Sequence, residues 1–260
     1  MITDSFIRAQ SAESLAKKRT TPFLRRLVAQ VIDQAASEHY GLSYSMRCQQ
    51  ASQAARNLLA NMGVEGKVCL GAFCAPAIYE DHRYAGWGGF WGADHHAWAM
   101  TQFFEIIDLS IAKTHLHPRN SRADGIAMPA IWWDDASFPP SVIRYLPDTT
   151  FKSAAFEDEK ATEDFAVFEK RVADVFQRTL SSKQVNEVIF EPVIENISSM
   201  QLLHNKGNPW LNRALIFQQR NIPFPDWIVE REAELIAAHA KGMRAPSRLE
   251  GATFTISSAT

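Results

Sequence analysis

What this chain has little of narrows its chemistry before any motif is read. Cysteine is scarce: Cys48, Cys69 and Cys74 are an odd set with no CxxC pair, which argues against a disulfide framework and against a structural zinc site. Charge of either sign is not in excess, with 27 Lys and Arg against 29 Asp and Glu and a pI near 6.5. So mixed a surface carries no electrostatic footprint for nucleic acid or for an anionic membrane. No apolar run reaches the length that spans a bilayer, and MITDSFIRAQSAESLAKKRTT lacks the apolar centre of a secretory signal. Repeats and low-complexity tracts are absent too. The expectation is a cytoplasmic protein with reduced thiols and neither a nucleic-acid nor a membrane partner, with self-association left open.

A 46% hydrophobic content over 260 residues is ample for a sizeable core. Thr21-Pro22 reads as a helix start, and Leu24, Leu27, Val28, Val31, Ile32 and Ala35 then recur on one face up to Gly41. A second helix, capped by Ser43 or Ser45 and ended by Gly63, would bury Cys48, Ala51, Ala55, Leu58 and Met62. Lys67 to Ala75 reads as a buried strand closed by Pro76, and the glycine- and tryptophan-rich stretch from Ile78 to Asp94 as a loop able to line a cleft. Two strands, His95 to Thr101 and Glu105 to Ile111, follow around a short turn at Gln102 to Phe104. His115 to Pro147 reads as irregular chain over the sheet edge. Beyond Asp148 the pattern is helical, with helices around Phe165 to Phe176, from Pro192 and from Pro225-Asp226, and a loose tail from Pro246. This divides the chain into an α+β core over 1–150 and a helical extension over 151–260 packed on it.

Three residues of complementary chemistry stand in this order. Cys48 falls in the opening turns of its helix, at the third helical position if Ser45 is the cap. There the free N–H groups and the dipole favour thiolate and can receive an oxyanion. Alternation along the next strand sets His96, Trp98 and Met100 on one face and His95, Ala97 and Ala99 on the other. Asp108 lies between Ile107 and Leu109, where a carboxylate needs a partner such as an imidazole N–H. An odd number of loop residues in the turn places Asp108 with His96, and an even number places it with His95.

A helix opening on the cysteine of CQQASQAARNLLANMG, a strand VCLGAF, HHAW on the next strand and EIIDLS on the one after resemble the transglutaminase-like branch of the papain-like cysteine peptidase superfamily. The resemblance covers roughly Ser43 to Ile111. It implies a central helix packed on an antiparallel sheet, with Cys48 as nucleophile, His96 as base and Asp108 as orienter. It further implies a hydrolase or acyltransferase that works on a small-molecule or peptide amide or ester without a cofactor. Papain-type members carry a glutamine ahead of the cysteine, and Leu42 to Arg47 contains none. The oxyanion would therefore fall to Tyr44, Gln49, Gln50 or the Cys48 N–H, and Trp87, Trp91 and Trp98 are candidates for the substrate pocket.

Two other readings compete. Asp94, His95, His96, Asp108, His115 and His117 concentrate metal-ligating groups in a short span, although adjacent strand histidines point apart. A non-catalytic binding protein of the same fold is the other, because a fold does not fix a function.

Overall fold

A computed structural model of the protein describes residues 1–81, 85–118, 122–137, 140–152, 156 and 158–240. Its architecture is mixed α+β. Helix α1 (Asp4–Lys17) leads into α2 (Pro22–Tyr40), a 3-10 turn (Gly41–Met46) and α3 (Cys48–Asn61). Strands β1 (Gly66–Ile78), β2 (Ala85–Phe90), β3 (His96–Thr101) and β4 (Ile106–Asp108) follow, then a second 3-10 turn (Ser110–Leu116). Strands β5 (Ala130–Trp133) and β6 (Arg144–Phe151) precede α4 (Glu159–Ser182). Another 3-10 turn (Val185–Glu187), β7 (Val193–Ile194), α5 (Ile197–Asn205), α6 (Pro209–Gln219) and α7 (Asp226–Ala240) complete the described chain.

The strands form one sheet in the order β6-β1-β3-β4-β5-β7, and β2 lies beside the C-terminal half of β1 on the edge that β3 also uses. All pairs are antiparallel except β5 with β7. One face, with Ala99, Ile107 and Trp132, packs on α2, α3 and α4. The other, with Trp98, Met100, Ile106 and Ile131, is covered by Met200, Trp210, Leu211 and Phe217 of α5 and α6. Ile228 and Leu235 of α7 close a smaller cluster over Ala72, Cys74 and Leu146. None of the described helices is long and apolar enough to cross a membrane.

Helix α2 forms as its sequence predicts, with the Thr21 hydroxyl accepting from the Leu24 N–H and Pro22 in the first turn. Several other boundaries move. Neither Ser43 nor Ser45 caps α3: residues 41–46 wind into a 3-10 turn in which the Ser45 hydroxyl donates to the Leu42 carbonyl, so Cys48 becomes the first residue of α3 rather than the third. Strand β1 runs on through Pro76 to Ile78 instead of closing at Ala75, because β2 pairs with that half. The stretch expected as a glycine-aromatic loop supplies β2. Gly89 explains the composition: at φ 130° a Cβ there would sit 2.3 Å from the Phe73 carbonyl oxygen, so glycine serves close strand approach rather than loop freedom.

His115 to Pro147 is not merely irregular, since it contributes β5 and the first half of β6. Pro192 opens the two-residue β7, and the helix starts at Ile197, where the Asn196 side chain accepts from the Ser199 N–H. Helices α1 and α6 went unrecognised although Thr3 and Asn208-Pro209 are ordinary helix starts. The expected loose tail from Pro246, and His82, Arg83 and Tyr84, lie outside the described residues.

The β3-β4 hairpin decides the site. Its loop is Gln102, Phe103 and Phe104, with Phe104 at φ 65° and the Thr101 N–H donating to the Glu105 carbonyl at 3.0 Å. The Glu105 carboxylate, fully buried, accepts from Thr101 Oγ1, from the Thr20 N–H and hydroxyl and from Arg25. Arg25, itself 2% exposed, also reaches Asp134 at 2.5 Å. This buried ion network ties the hairpin to the start of α2 and to the end of β5, and it holds a three-residue loop in register.

Candidate functional site

An odd loop places His96 and Asp108 on one face, as the register Ala99 to Ile107 and Met100 to Ile106 requires. His96 Nε2 and Asp108 Oδ2 are 2.6 Å apart, and both side chains are buried. The Tyr145 hydroxyl donates to the same oxygen at 2.9 Å, while Oδ1 accepts from the Ser110 hydroxyl at 3.1 Å and the Ile111 N–H at 3.2 Å. Four donors thus surround a carboxylate with no solvent access.

The carboxylate also shapes the backbone. By capturing Ser110 and Ile111 it turns the chain at Leu109, whose φ −86° and ψ −32° are helical, and β4 stops at Asp108 instead of continuing to Ile111. Ala97 therefore has no strand partner on that side. The first two turns of α3 fill the gap: the Ser52 hydroxyl donates to the Ala97 carbonyl at 3.1 Å, and the Ala97 N–H bonds to the Cys48 sulfur.

Cys48 is half-buried and is a free thiol. Burial pushes this thiol up, but the His96 imidazolium, through hydrogen bonding and charge, and the Ala97 N–H outweigh burial and the repulsion from Asp108, so its pKa lies below the ordinary value. His96 responds in kind. Burial alone would lower it, but Asp108 and then Cys48 raise it to about 10. His96 Nδ1, the nitrogen not bound to Asp108, is buried and among the described residues has no partner that meets ordinary hydrogen-bond geometry. The thiol-imidazole contact is therefore longer or more bent than an ordinary hydrogen bond. Cys69 and Cys74, buried in β1, are by contrast pushed up to about 12 by desolvation.

The other expected residues divide. Tyr44 is buried four residues ahead of Cys48, and its hydroxyl has no hydrogen-bond partner among the described residues. Burial, Asp33 and Asp108 keep it un-ionised. Gln49 and Gln50 belong to the first turn of α3, half-buried and buried respectively. The tryptophans do not converge on the thiol. Trp87 stacks on Phe224 at 4.1 Å and donates to the Pro223 carbonyl, and Trp91 packs with the cluster under α7. Trp98 is a core residue 5.0 Å from the Tyr145 ring.

The six candidate metal ligands do not converge as one set either: His96 and Asp108 pair with each other, while Asp94, His115 and His117 line a separate cavity. His95 is 3.7 Å from Asp148, His115 Nδ1 bonds to the Ala112 carbonyl and His117 meets the Phe90 ring edge-on. Among the described residues no group of three or more His, Cys, Asp or Glu could hold a metal ion.

Sequence reasoning missed Tyr145, Phe90 and Phe73. Phe90 stacks on the His96 ring at 5.2 Å and 9°, and Phe73 leans on it at 5.4 Å. Beyond this pair of rings opens a cavity of about 240 Å³ between β1, β2 and the Ser110–Leu116 turn. No linear motif joins Tyr145 to Asp108, which are 37 residues apart. Ser110 was readable, since it shares the face of Asp108 in strand alternation.

Among known proteins, no family model, no curated protein and no solved structure matches this chain.

Proposed function

We propose that the protein is a cysteine-dependent hydrolase or acyltransferase, built on a core of the papain-like, transglutaminase-like kind and carrying its C-terminal helices as an addition. The observation that carries this reading is the relay itself. A thiol on the first residue of a helix lies beside one nitrogen of a buried imidazole, outside ordinary hydrogen-bond geometry, and the other nitrogen is 2.6 Å from a buried, four-times hydrogen-bonded carboxylate. The order of helix, strand and adjacent strand is that of the superfamily the sequence resembles.

In this mechanism the pair rests as thiolate and imidazolium. The Cys48 sulfur attacks an amide or ester carbonyl, and the tetrahedral oxyanion is met by the uncapped N–H groups at the start of α3. Tyr44, with its buried unpartnered hydroxyl, is the side-chain donor that best suits a second contact. His96 Nδ1 then gives its proton to the leaving amine or alcohol, and a thioacyl enzyme remains. The neutral imidazole, held by Asp108, takes a proton from water or from an acceptor amine, which attacks the thioester and restores the thiolate. Water gives hydrolysis and an amine gives transfer. A thiol used in this way suits a reducing compartment such as the cytoplasm.

The test is p-nitrophenyl acetate with mass spectrometry of the quenched protein. A burst of nitrophenol and one acetyl group on the Cys48 peptide are expected, absent in Cys48→Ala and much reduced in His96→Ala. A wild-type protein with no adduct on Cys48, or one on Cys48 that survives His96→Ala unchanged, refutes the reading and leaves the fold as a binding scaffold.

A further inference from the structure

The cavity behind the imidazole has a composition that points to an occupant. Its floor is apolar and buried: Phe73, Ala75, Ile78, Met128 and Trp210 are each at most 6% exposed. Half-buried polar residues, among them Asp94, Thr114, His115 and His117, stand around its rim. Two of its wall residues, Phe73 and Phe90, are among the rings that pack on His96. A group seated there is thus one ring thickness from the catalytic imidazole. The bare backbone of Gly88 and Gly89 forms part of the same wall. The Trp210 indole donates to the Pro76 carbonyl at 3.2 Å, so its polar atom is already satisfied and what it contributes to the floor is apolar.

We infer that this cavity is the specificity pocket of the proposed thiol enzyme and that it takes an aromatic or branched aliphatic side chain of the acyl donor. The inference rests on the reading of Cys48 and His96 above and adds the substrate class to it. A volume of about 240 Å³ accommodates a single ring or a branched chain but no extended ligand. The buried floor offers such a group no hydrogen-bonding demand and excludes water from its apolar surface. A charged acyl side chain would have to leave its hydration shell against five apolar residues, so the pocket discriminates against it. The polar rim suits the peptide-like or amide part of the substrate at the point where it emerges.

Alkylation separates this inference from the reading beneath it. Iodoacetamide reports the reactivity of the thiol alone, and N-benzyl iodoacetamide adds a ring that can enter the cavity. Rates are measured on the full chain at pH 6.5, with peptide mapping to distinguish Cys48 from Cys69 and Cys74. The benzyl reagent should modify Cys48 at least tenfold faster than iodoacetamide, the discrimination that a single well-packed methylene can command in an apolar pocket. Filling the cavity by Ala75→Leu, or by Met128→Trp should the first variant fold poorly, should bring the ratio close to one. A ratio near one in the wild type, with Cys48 still labelled ahead of the other two cysteines, overturns the pocket and leaves the triad standing. A high ratio that persists in both variants also overturns it, since the preference then arises elsewhere. Failure of both reagents to favour Cys48 overturns the triad and the pocket together.

Discussion

Replacing Asp108 by asparagine tests the relay where its logic is tightest. Four donors converge on the carboxylate: His96 Nε2 and the Tyr145 hydroxyl on Oδ2, the Ser110 hydroxyl and the Ile111 N–H on Oδ1. Asparagine offers one acceptor oxygen and one NH₂. With the NH₂ at the Oδ1 position, the Ser110 hydroxyl can rotate to accept, but the Ile111 N–H faces another donor, and a buried unpaired N–H costs about 1–3 kcal/mol. With the NH₂ at the Oδ2 position, the Tyr145 hydroxyl can rotate, and His96 must shed its Nε2 proton. The remaining proton then sits on Nδ1, facing the thiol, and the neutral ring can no longer accept a proton from Cys48. The second arrangement leaves only the Tyr145 hydroxyl proton to find another acceptor, so the variant should keep much of its stability and lose its reactivity.

The size of that loss follows from ionisation. An ordinary thiol titrating near 8.5 is about 0.3% thiolate at pH 6, so full ionisation can raise its alkylation rate by up to about 300-fold. A lower pKa also weakens the nucleophile, with a Brønsted slope of about 0.4–0.5, which leaves a net gain of at most about 10–15-fold. Asp108 supports that gain by holding His96 up to about 10, although its own charge pushes the thiol the other way as the smallest of the contributions. Asp108→Asn should therefore slow iodoacetamide labelling of Cys48 about tenfold at pH 6, and the difference should close as pH approaches 9. Rates within twofold of the wild type from pH 5.5 to 9, at an unchanged melting temperature, would refute the reasoning.

Three further outcomes are expected. Tyr145→Phe keeps the ring but removes a hydrogen bond to a buried charge, which should cost about 1.5–3 kcal/mol and lower Tm by several degrees in a thermal melt. Because the folded pKa of His96 is raised above its unfolded value near 6.5, its contribution to stability is complete below about pH 6.5 and is lost as pH rises towards about 10. The Tm difference between wild type and His96→Gln should narrow across that interval, and a constant difference would contradict the shift. Gly89→Ala forces a Cβ within 2.3 Å of the Phe73 carbonyl at φ 130°, so β2 must detach or bend at a cost of about 2 kcal/mol or more, visible as a lowered Tm.

Much of the site was legible because its residues obey local rules. Strand alternation restricted each face of β3 to one histidine, and the question of His95 or His96 reduced to the parity of one turn. The turn itself was not legible. Phe104 at φ 65° carries none of the glycine or asparagine signal that announces a left-handed residue, and the buried Glu105-Arg25 network that holds it spans 80 residues of sequence. The same applies to β2, whose glycines read as loop punctuation when they serve close packing against Phe73. Strands β5 and β6 were hidden in a proline- and tryptophan-rich stretch because their burial comes from both faces of the sheet, which erases alternation. Helix starts at Ser43 or Ser45 failed for a competitive reason, since the Ser45 hydroxyl is engaged by Leu42.

Asp108 links these parts in a way that position in a strand alone does not suggest. As an orienter it needs only one contact, with His96 Nε2. Its second oxygen does something else: by drawing in Ser110 and Ile111 it ends β4 one residue short of Ala97's partner position. An unpaired buried backbone group in β3 must find another partner. Ser52 supplies the donor for the Ala97 carbonyl and Cys48 the acceptor for its N–H, and both come from the first turns of α3. The gap that the carboxylate opens in the sheet is therefore the place where the helix start docks, and the docking brings the thiol to the imidazole. A strand continuing to Ile111, as alternation alone would have it, would pair Ala97 with Leu109 and leave Cys48 no seat beside the ring. The residue that holds the imidazole thus also makes room for the thiol, and this is why a carboxylate at that position, rather than any apolar residue suited to a central strand, is consistent with the local backbone.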